Sequence, residues 1–444
     1  MKIQLSEHFN YRKLLRFTLP TIAMMIVTSI YSIVDGFFIS NFAGKTPFAA
    51  INLIMPVLMI LGTVGFMLGT GGTALVAATY GAGDRERANR YFSLMVYTAF
   101  VIGVAFTILG FFFIRPVAQL LGAEGALLEN CVVYSRIILA AMPFYVLQVM
   151  FQSFFVAAEK PRLGLVVTIL SGLTNMILDA VLVISLPQAH KLEGAAIATA
   201  VAQTVGGVVP LFYFFRKNSS FLRLGKTRFD GKALRKACIN GSSEFMSNIS
   251  MSIVGILYNA QLMKLAGENG IAAYGVMMYV SMIFASTFVG YCVGMAPVVS
   301  YHFGAENTQE LQGLLRKSLV ILTALGVAMT AAAEILATPL SAFFVGYDQE
   351  LLALTVKGFR IFSLSFLFMG FGIFTSSFFT ALNDGLTSAI VSFLRTLVFQ
   401  CAAILLLPIL WGIDGVWIAV VVAEVMSMAV GAIFLVAKRG TYHY

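Results

Sequence analysis

The sequence predicts an all-α polytopic membrane protein, with twelve transmembrane helices in two six-helix lobes related by pseudo-two-fold symmetry along the membrane normal. Three observations predict it: an excess of apolar side chains, twelve long apolar runs, and a repeat that relates the two halves. Of 444 residues, 59% are hydrophobic and 11% charged, whereas soluble domains average about 45–50% and about 25%. The apolar excess is too large for one soluble core and must face lipid.

The twelve apolar runs are each long enough to cross a bilayer as a helix. They are continuously apolar, which excludes the alternating pattern of transmembrane β-strands. The runs lie at about 14–40, 47–79, 91–114, 130–157, 162–187, 193–215, 237–264, 271–302, 316–338, 352–381, 386–408 and 414–437.

The basic residues predict the orientation of the chain. With the N-terminus inside, 21 Lys and Arg residues fall on the cytoplasmic side and five on the other, and such an excess marks cytoplasmic loops. The sequence therefore predicts a multi-pass protein of the cell membrane with both termini cytoplasmic. The net charge of +9 requires no nucleic-acid partner, because anionic lipid headgroups attract cations at these positions.

An internal repeat divides the chain into two halves. The segment FAGKTPFAAINLIMPV (42–57) aligns with LAGENGIAAYGVMMYV (265–280), and ATYGAGD (78–84) aligns with YHFGAEN (301–307). The predicted domains are an N-lobe at 1–215, a basic cytoplasmic linker at 216–236 and a C-lobe at 237–444. Because six is even, both halves cross the membrane in the same sense and leave a cleft between them, which suits alternating access.

Three polar residues in the N-lobe form a candidate coupling-ion site. Asp35 lies in the first span, and Asn175 and Asp179 lie one helical turn apart in the fifth. Buried ionisable residues are costly in a membrane and indicate function. The two carboxylates lie at similar depth, and a proton or Na⁺ would relieve their repulsion, with Asn175 as a further oxygen ligand. The alternative is that each aspartate caps a helix end or reaches the outer interface.

The C-lobe lacks this constellation and carries a different set of charges. Glu244 lies early in the seventh span, Arg395 midway along the eleventh and Glu424 in the twelfth. Arg395 and Glu424 could form a structural ion pair or contact substrate, since an unpaired buried arginine is costly. Pro20 shares a helix with Asp35 and removes a backbone hydrogen bond, which makes it the candidate mobile hinge.

The chemistry-bearing motifs of other protein classes are missing from the sequence. GTGGTAL (69–75) lacks the lysine of a phosphate-binding loop, the four cysteines stand singly without metal-ligand spacing, and neither a catalytic dyad nor HExxH occurs. We therefore expect a transporter rather than an enzyme, without a cofactor, which takes its energy from an ion gradient.

The chain resembles the multidrug and toxic compound extrusion (MATE) transporters over essentially its whole length, most of all the branch that includes MepA and NorM. The motifs that carry the resemblance are IVDGFFISNFAG (33–44), LVAATYGAGDRERA (75–88), NMILD (175–179), EGAAIATAVAQ (193–203) and SYHFGAE (300–306). The resemblance implies export of amphipathic, mostly cationic small molecules in exchange for H⁺ or Na⁺. The family's N-lobe acids fall on Asp35 and Asp179, and its span-5 asparagine on Asn175. Members with a C-lobe cation site use acids in spans 7 and 10, and span 10 has none here.

Several alternatives remain open from the sequence. A lipid-linked oligosaccharide flippase of the same superfamily would share the fold and the repeat, but it needs a cationic cleft, and Arg395 is the one base midway across the membrane. A second alternative is a major facilitator, but the acid and asparagine pattern of span 5 is foreign to that family. For the coupling ion we favour H⁺, because one carboxylate among apolar neighbours suffices, with Na⁺ at the same residues as the alternative. We expect a monomer.

Overall fold

The computed structural model describes residues 3–444, and of residues 37, 40, 41, 45 and 48 only the backbone. Lys2, one of the predicted cytoplasmic cations, lies outside the described residues. The described chain forms thirteen α-helices, which are α1 Tyr11–Phe38, α2 Lys45–Gly81, α3 Arg85–Leu120, α4 Gly125–Ala140, α5 Met142–Ala157, α6 Pro161–Ser185, α7 Lys191–Phe215, α8 Gly231–Gly304, α9 Thr308–Val345, α10 Gln349–Ser363, α11 Phe366–Ala381, α12 Gly385–Phe393 and α13 Gln400–Tyr442.

These helices provide the twelve predicted spans. Two spans are bent helix pairs, α4 with α5 at 60° and α10 with α11 at 47°. Two long helices each contain a break at a glycine with positive φ, at Gly267 in α8 and Gly412 in α13, a backbone conformation that glycine adopts without strain. The breaks divide α8 into spans 7 and 8, and α13 into the end of span 11 and span 12. The predicted twelve-helix fold is confirmed.

The predicted linker at 216–236 runs from the end of α7 into the start of α8. Helix α8 begins at Gly231, because the Asp230 side chain caps it by accepting hydrogen bonds from the backbone N–H groups of Lys232 and Ala233. Its first turns are charged and exposed, and a helix can continue beyond the hydrocarbon when its residues are good helix formers such as lysine and arginine. The last part of the predicted linker is therefore helical.

The lobes pack tightly at the end of the bundle that carries most basic residues. A Cβ on Gly81 would lie 1.9 Å from the carbonyl oxygen of Tyr301, and one on Gly304 would lie 1.8 Å from that of Ala78. Gly81 is equivalent to Gly304 in the repeat, and Ala78 is equivalent to Tyr301. The two contacts are therefore exchanged by the axis that relates the halves. Nearby, a Cβ on Gly241 would lie 1.9 Å from the carbonyl oxygen of Met67. Glycine is required here because helix backbones touch.

The helix backbones are less closely packed toward the opposite end. Gly36 in α1, and Gly255 and Gly275 in the two halves of α8, have nothing within 4 Å of an added Cβ. These glycines occupy the halves of spans 1, 7 and 8 that lie away from the basic end. Within the described residues, no neighbouring helix touches the backbone at these positions, in contrast to the glycines at the basic end.

Candidate coupling-ion and substrate sites

Helix α6 presents a polar stripe to the interior of the N-lobe. Thr168, Ser171, Asn175 and Asp179 follow one another at helical spacing, and each is at most 4% exposed. The opposite face of α6 carries large apolar side chains that are exposed to the surrounding lipid, namely Val166, Ile169, Leu170, Leu173, Ile177, Val181 and Ile184. This division places the polar side chains inside the lobe, because polar groups are costly in contact with lipid.

Asp35 reaches this stripe from α1. It lies in the last helical turn before a short π-helix at Ile39–Ala43 and is 8% exposed. Its carboxyl group interacts with the side chains of Asp179, Asn175 and Thr199, and the Asn175 amide donates to the Thr199 hydroxyl at 3.4 Å. The three residues predicted from the sequence are thus brought together, although their role as a coupling site stays a prediction.

Three of the four oxygens of the acid pair lack a hydrogen-bond donor. Both carboxylate oxygens of Asp179, Oδ1 of Asp35 and Oδ1 of Asn175 are buried without a hydrogen-bond partner in the described part of the chain. Two ionised carboxylates cannot donate to each other, so their contact satisfies neither. A buried charge without a partner is strongly unfavourable. A proton held by one aspartate, or a cation between them, would supply the missing partner.

Aromatic and polar side chains that the sequence analysis did not select complete the site. The fully buried ring of Tyr134 and the ring of Tyr31 both lie near Asp35. The Tyr31 ring packs against Gly172 of α6, where an added Cβ would lie 3.1 Å from the ring. Thr199 comes from α7. Thr199 could have been found from the sequence, because it is a polar residue inside an apolar span. Neither tyrosine could have been found, because in the sequence each looks like an ordinary aromatic residue of a core.

Polar groups continue from the acids into the middle of the N-lobe. Gln148 on α5 donates to Ser171 at 3.1 Å, and Ser171 donates to the carbonyl oxygen of Ala202 at 2.8 Å. Beside them, a cavity of about 10 Å³ is lined by Gln148, Gln152 and Thr168 among others, which is about the size of one water molecule. These groups continue the polar stripe of α6 toward the middle of the lobe.

The C-lobe charges form a different arrangement. Arg395 donates from Nε and Nη2 to the two carboxylate oxygens of Glu424 at 2.9 and 2.8 Å, so the predicted pairing is present. Arg395 lies in a second π-helix at Leu394–Phe399. It passes over Gly372 of span 10, where a Cβ would lie 2.7 Å from its Cδ. Glycine at this position therefore makes room for the buried ion pair.

Glu244 remains outside this pair. Its side chain is half-buried on α8 and lies near Arg395 and Cys292. Within the described residues its carboxylate has no hydrogen-bond donor or ion-pair partner, because Glu424 occupies the guanidinium of Arg395. A partly accessible carboxylate without a partner can accept a cationic group from a bound molecule.

Pro20 lies inside α1 at the lobe interface. The helix continues through it, and the residues on either side face glycines of span 8. A Cβ on Gly294 would lie 3.1 Å from Thr18, and one on Gly290 would lie 2.5 Å from Ile22. The segment around Pro20 is thus held against the other lobe, whereas its role as a hinge stays a prediction.

We expect the Arg395–Glu424 pair to be structural, and a double variant tests this. Arg395→Met alone should lower the free energy of unfolding by roughly 3–5 kcal/mol, because it leaves Glu424 charged and buried. Arg395→Met combined with Glu424→Leu should recover most of that loss. Thermal melting in one detergent measures both. A double variant as unstable as the single variant would contradict this expectation.

The chain is similar to known proteins along almost its whole length. The MatE family model matches the chain twice, at residues 20–181 and 245–404. The multidrug export protein MepA of Staphylococcus haemolyticus is 24% identical over 431 residues, which cover 97% of this chain and 94% of that protein. MepA of Staphylococcus aureus (strain MRSA252) is 23% identical over 417 residues, covering 93% and 91%.

Solved structures show the same fold. One is described as the outward-facing conformation of a multidrug resistance MATE family transporter of the MOP superfamily, with a TM-score of 0.92 and 22% identity over 98% of this chain and 97% of that chain. Another is a MOP superfamily transporter from Pyrococcus furiosus, whose description reports a binding pocket of reversed polarity. Its TM-score is 0.90, with 22% identity over 98% of both chains.

Proposed function

Because the chain belongs to the MatE family of membrane transporters, we propose that it is a cation-coupled antiporter that exports amphipathic, mostly cationic compounds by alternating access. The observation that carries the proposal is the buried pair of Asp35 and Asp179, in which three of the four carboxylate oxygens lack a donor. Such a pair binds a cation or proton in one state and can release it in another. The names of the MepA relatives, multidrug export proteins, support drugs as the exported class.

We place both termini and the basic ends of the helices in the cytoplasm. In this orientation the lobes are packed together at the cytoplasmic end, and the acid pair lies in the outer half of the N-lobe. A proton entering from outside would neutralise the pair. Closure of the outer end and opening of the cytoplasmic end would follow, and substrate arriving from the cytoplasm would occupy the opened cleft. We propose that a single chain performs this cycle.

The substrate would bind between the lobes or within the N-lobe, against flexible methionine and aromatic side chains that adapt to varied apolar bodies. Glu244 supplies a carboxylate free to meet a cationic group. The flippase alternative is disfavoured, because a pyrophosphate headgroup needs free cations in the cleft and the guanidinium of Arg395 is already bound by Glu424.

We favour H⁺ as the coupling ion. A single proton between Asp35 and Asp179 turns one carboxyl group into a donor for the other, and the polar stripe of α6 offers it a path. Na⁺ at Asp35, Asn175 and Asp179 would need further oxygen ligands from the backbone or from water, and it remains the alternative to be tested.

Gradients imposed one at a time distinguish the two ions. In proteoliposomes, a pH gradient alone should drive transport of the fluorescent amphipathic cation ethidium, and a Na⁺ gradient at clamped, equal pH should not. Vesicles without protein provide the control for leakage. Robust transport driven by Na⁺ at equal pH would overturn the proton assignment, and ethidium transport that ignores both gradients would overturn the antiport proposal itself.

A further inference from the structure

A basic cavity opens at the cytoplasmic end of the C-lobe, away from the sites described above. It has a volume of about 540 Å³, within the range of roughly 300–1,000 Å³ typical of small-molecule sites. Its walls come from the start of α8, the turn between α11 and α12, and the end of α13. Neither the acid pair nor the Arg395–Glu424 pair contributes to it.

One helical face supplies the charge. Lys232, Arg235 and Lys236 lie at spacings that share a face of α8, all three line the cavity, and all three are exposed. None has an ion pair or a side-chain hydrogen bond in the described part of the chain. Three cations that converge without a carboxylate partner repel one another, and an anion among them would relieve that repulsion.

The one acid in the cavity wall is already occupied. Asp384 accepts hydrogen bonds from the Thr387 hydroxyl at 2.7 Å and the Tyr442 hydroxyl at 2.8 Å, and Lys438 lies 3.5 Å away. Burial raises the pKa of Asp384, but these hydrogen bonds and the lysine outweigh burial and lower it overall. The carboxylate is therefore ionised at neutral pH and matched by its own partners rather than by the three cations.

The mouth of the cavity is apolar and exposed. Ile239 follows the cations on the same face of α8 and is 42% exposed, and Leu386 at the start of α12 is 68% exposed. Both residues line the cavity. Cations beside exposed aliphatic side chains, at the level where a helix leaves the hydrocarbon, match the two parts of a phospholipid, a phosphate headgroup and its acyl chains.

We propose that this cavity binds the headgroup of an anionic phospholipid from the cytoplasmic leaflet, with the phosphate among Lys232, Arg235 and Lys236 and the acyl chains against Ile239 and Leu386. The floor of the cavity also joins the lobes. Asn240 donates to Asn383 at 2.7 Å, and Asn383 donates to the carbonyl oxygen of Ala74 in α2 at 3.3 Å. A lipid held here would lie against the closed cytoplasmic end.

Lipid retention measured by native mass spectrometry tests the proposal, independently of transport and of the coupling ion. The full chain in detergent is titrated with phosphatidylglycerol and, separately, with phosphatidylcholine. We expect a preference for phosphatidylglycerol that the triple variant Lys232→Gln, Arg235→Gln, Lys236→Gln weakens about tenfold or more, since each cation near a membrane surface contributes about 1 kcal/mol. The matched control replaces three exposed linker cations outside the cavity, Lys217, Arg223 and Lys226, with glutamine and should leave the affinity nearly unchanged.

A second variant, Leu386→Asp, keeps all three cations and places a negative charge at the exposed mouth, so it should also weaken binding of phosphatidylglycerol. Equal losses in the cavity and linker variants would overturn the proposal in favour of diffuse attraction. The absence of a headgroup preference would overturn it as well. Inorganic phosphate that displaces the lipid at similar affinity would show that a soluble anion is the occupant and would overturn the lipid assignment.

Discussion

Asp35→Asn should abolish gradient-driven efflux of ethidium while leaving the protein folded and at least as stable as the original. The asparagine keeps the volume of the side chain but cannot gain or lose a proton. Its amide can donate to Asp179, whose two oxygens otherwise lack donors. The variant would therefore resemble the protonated state permanently and could not complete the cycle.

Ethidium efflux from proteoliposomes under an imposed pH gradient, together with thermal melting, measures this prediction. Asp84→Asn is the matched control, because Asp84 is an exposed helix cap and asparagine caps a helix equally well. Asp35→Asn should also remove the pH dependence of ethidium binding if the acid pair couples proton and drug. Undiminished efflux by Asp35→Asn would refute coupling through this pair.

The spans and the position of the acid pair could be predicted from the sequence because both depend on local patterns. Apolar runs define helices whatever their neighbours are, and Asp35 and Asp179 stand out because charge is rare in a membrane span. The two bent spans, and the break at a single glycine that joins spans 7 and 8, were not predicted. A bend at Ala141 or a break confined to Gly267 depends on how neighbouring helices pack, which no single run contains.

The surroundings of the acid pair could not be predicted for a related reason. Tyr134 and Thr199 come near Asp35 only because α4 packs against α7, α7 against α6 and α6 against α1, with a particular rotation of each helix. The repeat has the same limit. It aligned Gly81 with Gly304. It did not show that each glycine lies against the backbone of the opposite lobe, because that contact depends on the axis between the lobes and not on either segment alone.

The glycine contacts connect the fold to the transport cycle. The acid pair lies away from the basic end of the molecule, and the backbone contacts of Gly81, Gly241 and Gly304 lie toward it. Binding at the acid pair can therefore influence these contacts through the relative positions of the lobes or through a bend of α1. Alternating access requires those backbone contacts to separate and reform in every cycle.

Gly241→Ala should shift the protein away from the state in which the lobes touch at the basic end, and it should reduce efflux about tenfold or more. The added methyl group would lie 1.9 Å from the carbonyl oxygen of Met67, and overpacking of this kind costs typically about 1–3 kcal/mol. This free-energy cost applies only while the lobes touch, so it shifts the balance between the conformation in which they touch and the one in which they separate.

Gly255→Ala, in the same helix but with nothing within 4 Å of the added Cβ, is the matched control and should transport normally. Spin labels at Arg85 and Gln309, in a protein whose four cysteines are replaced by serine, would report the separation of the basic ends of the two lobes. The distance should lengthen in Gly241→Ala and not in Gly255→Ala, and an unchanged distance with normal efflux in Gly241→Ala would show that close backbone contact does not control the closed state.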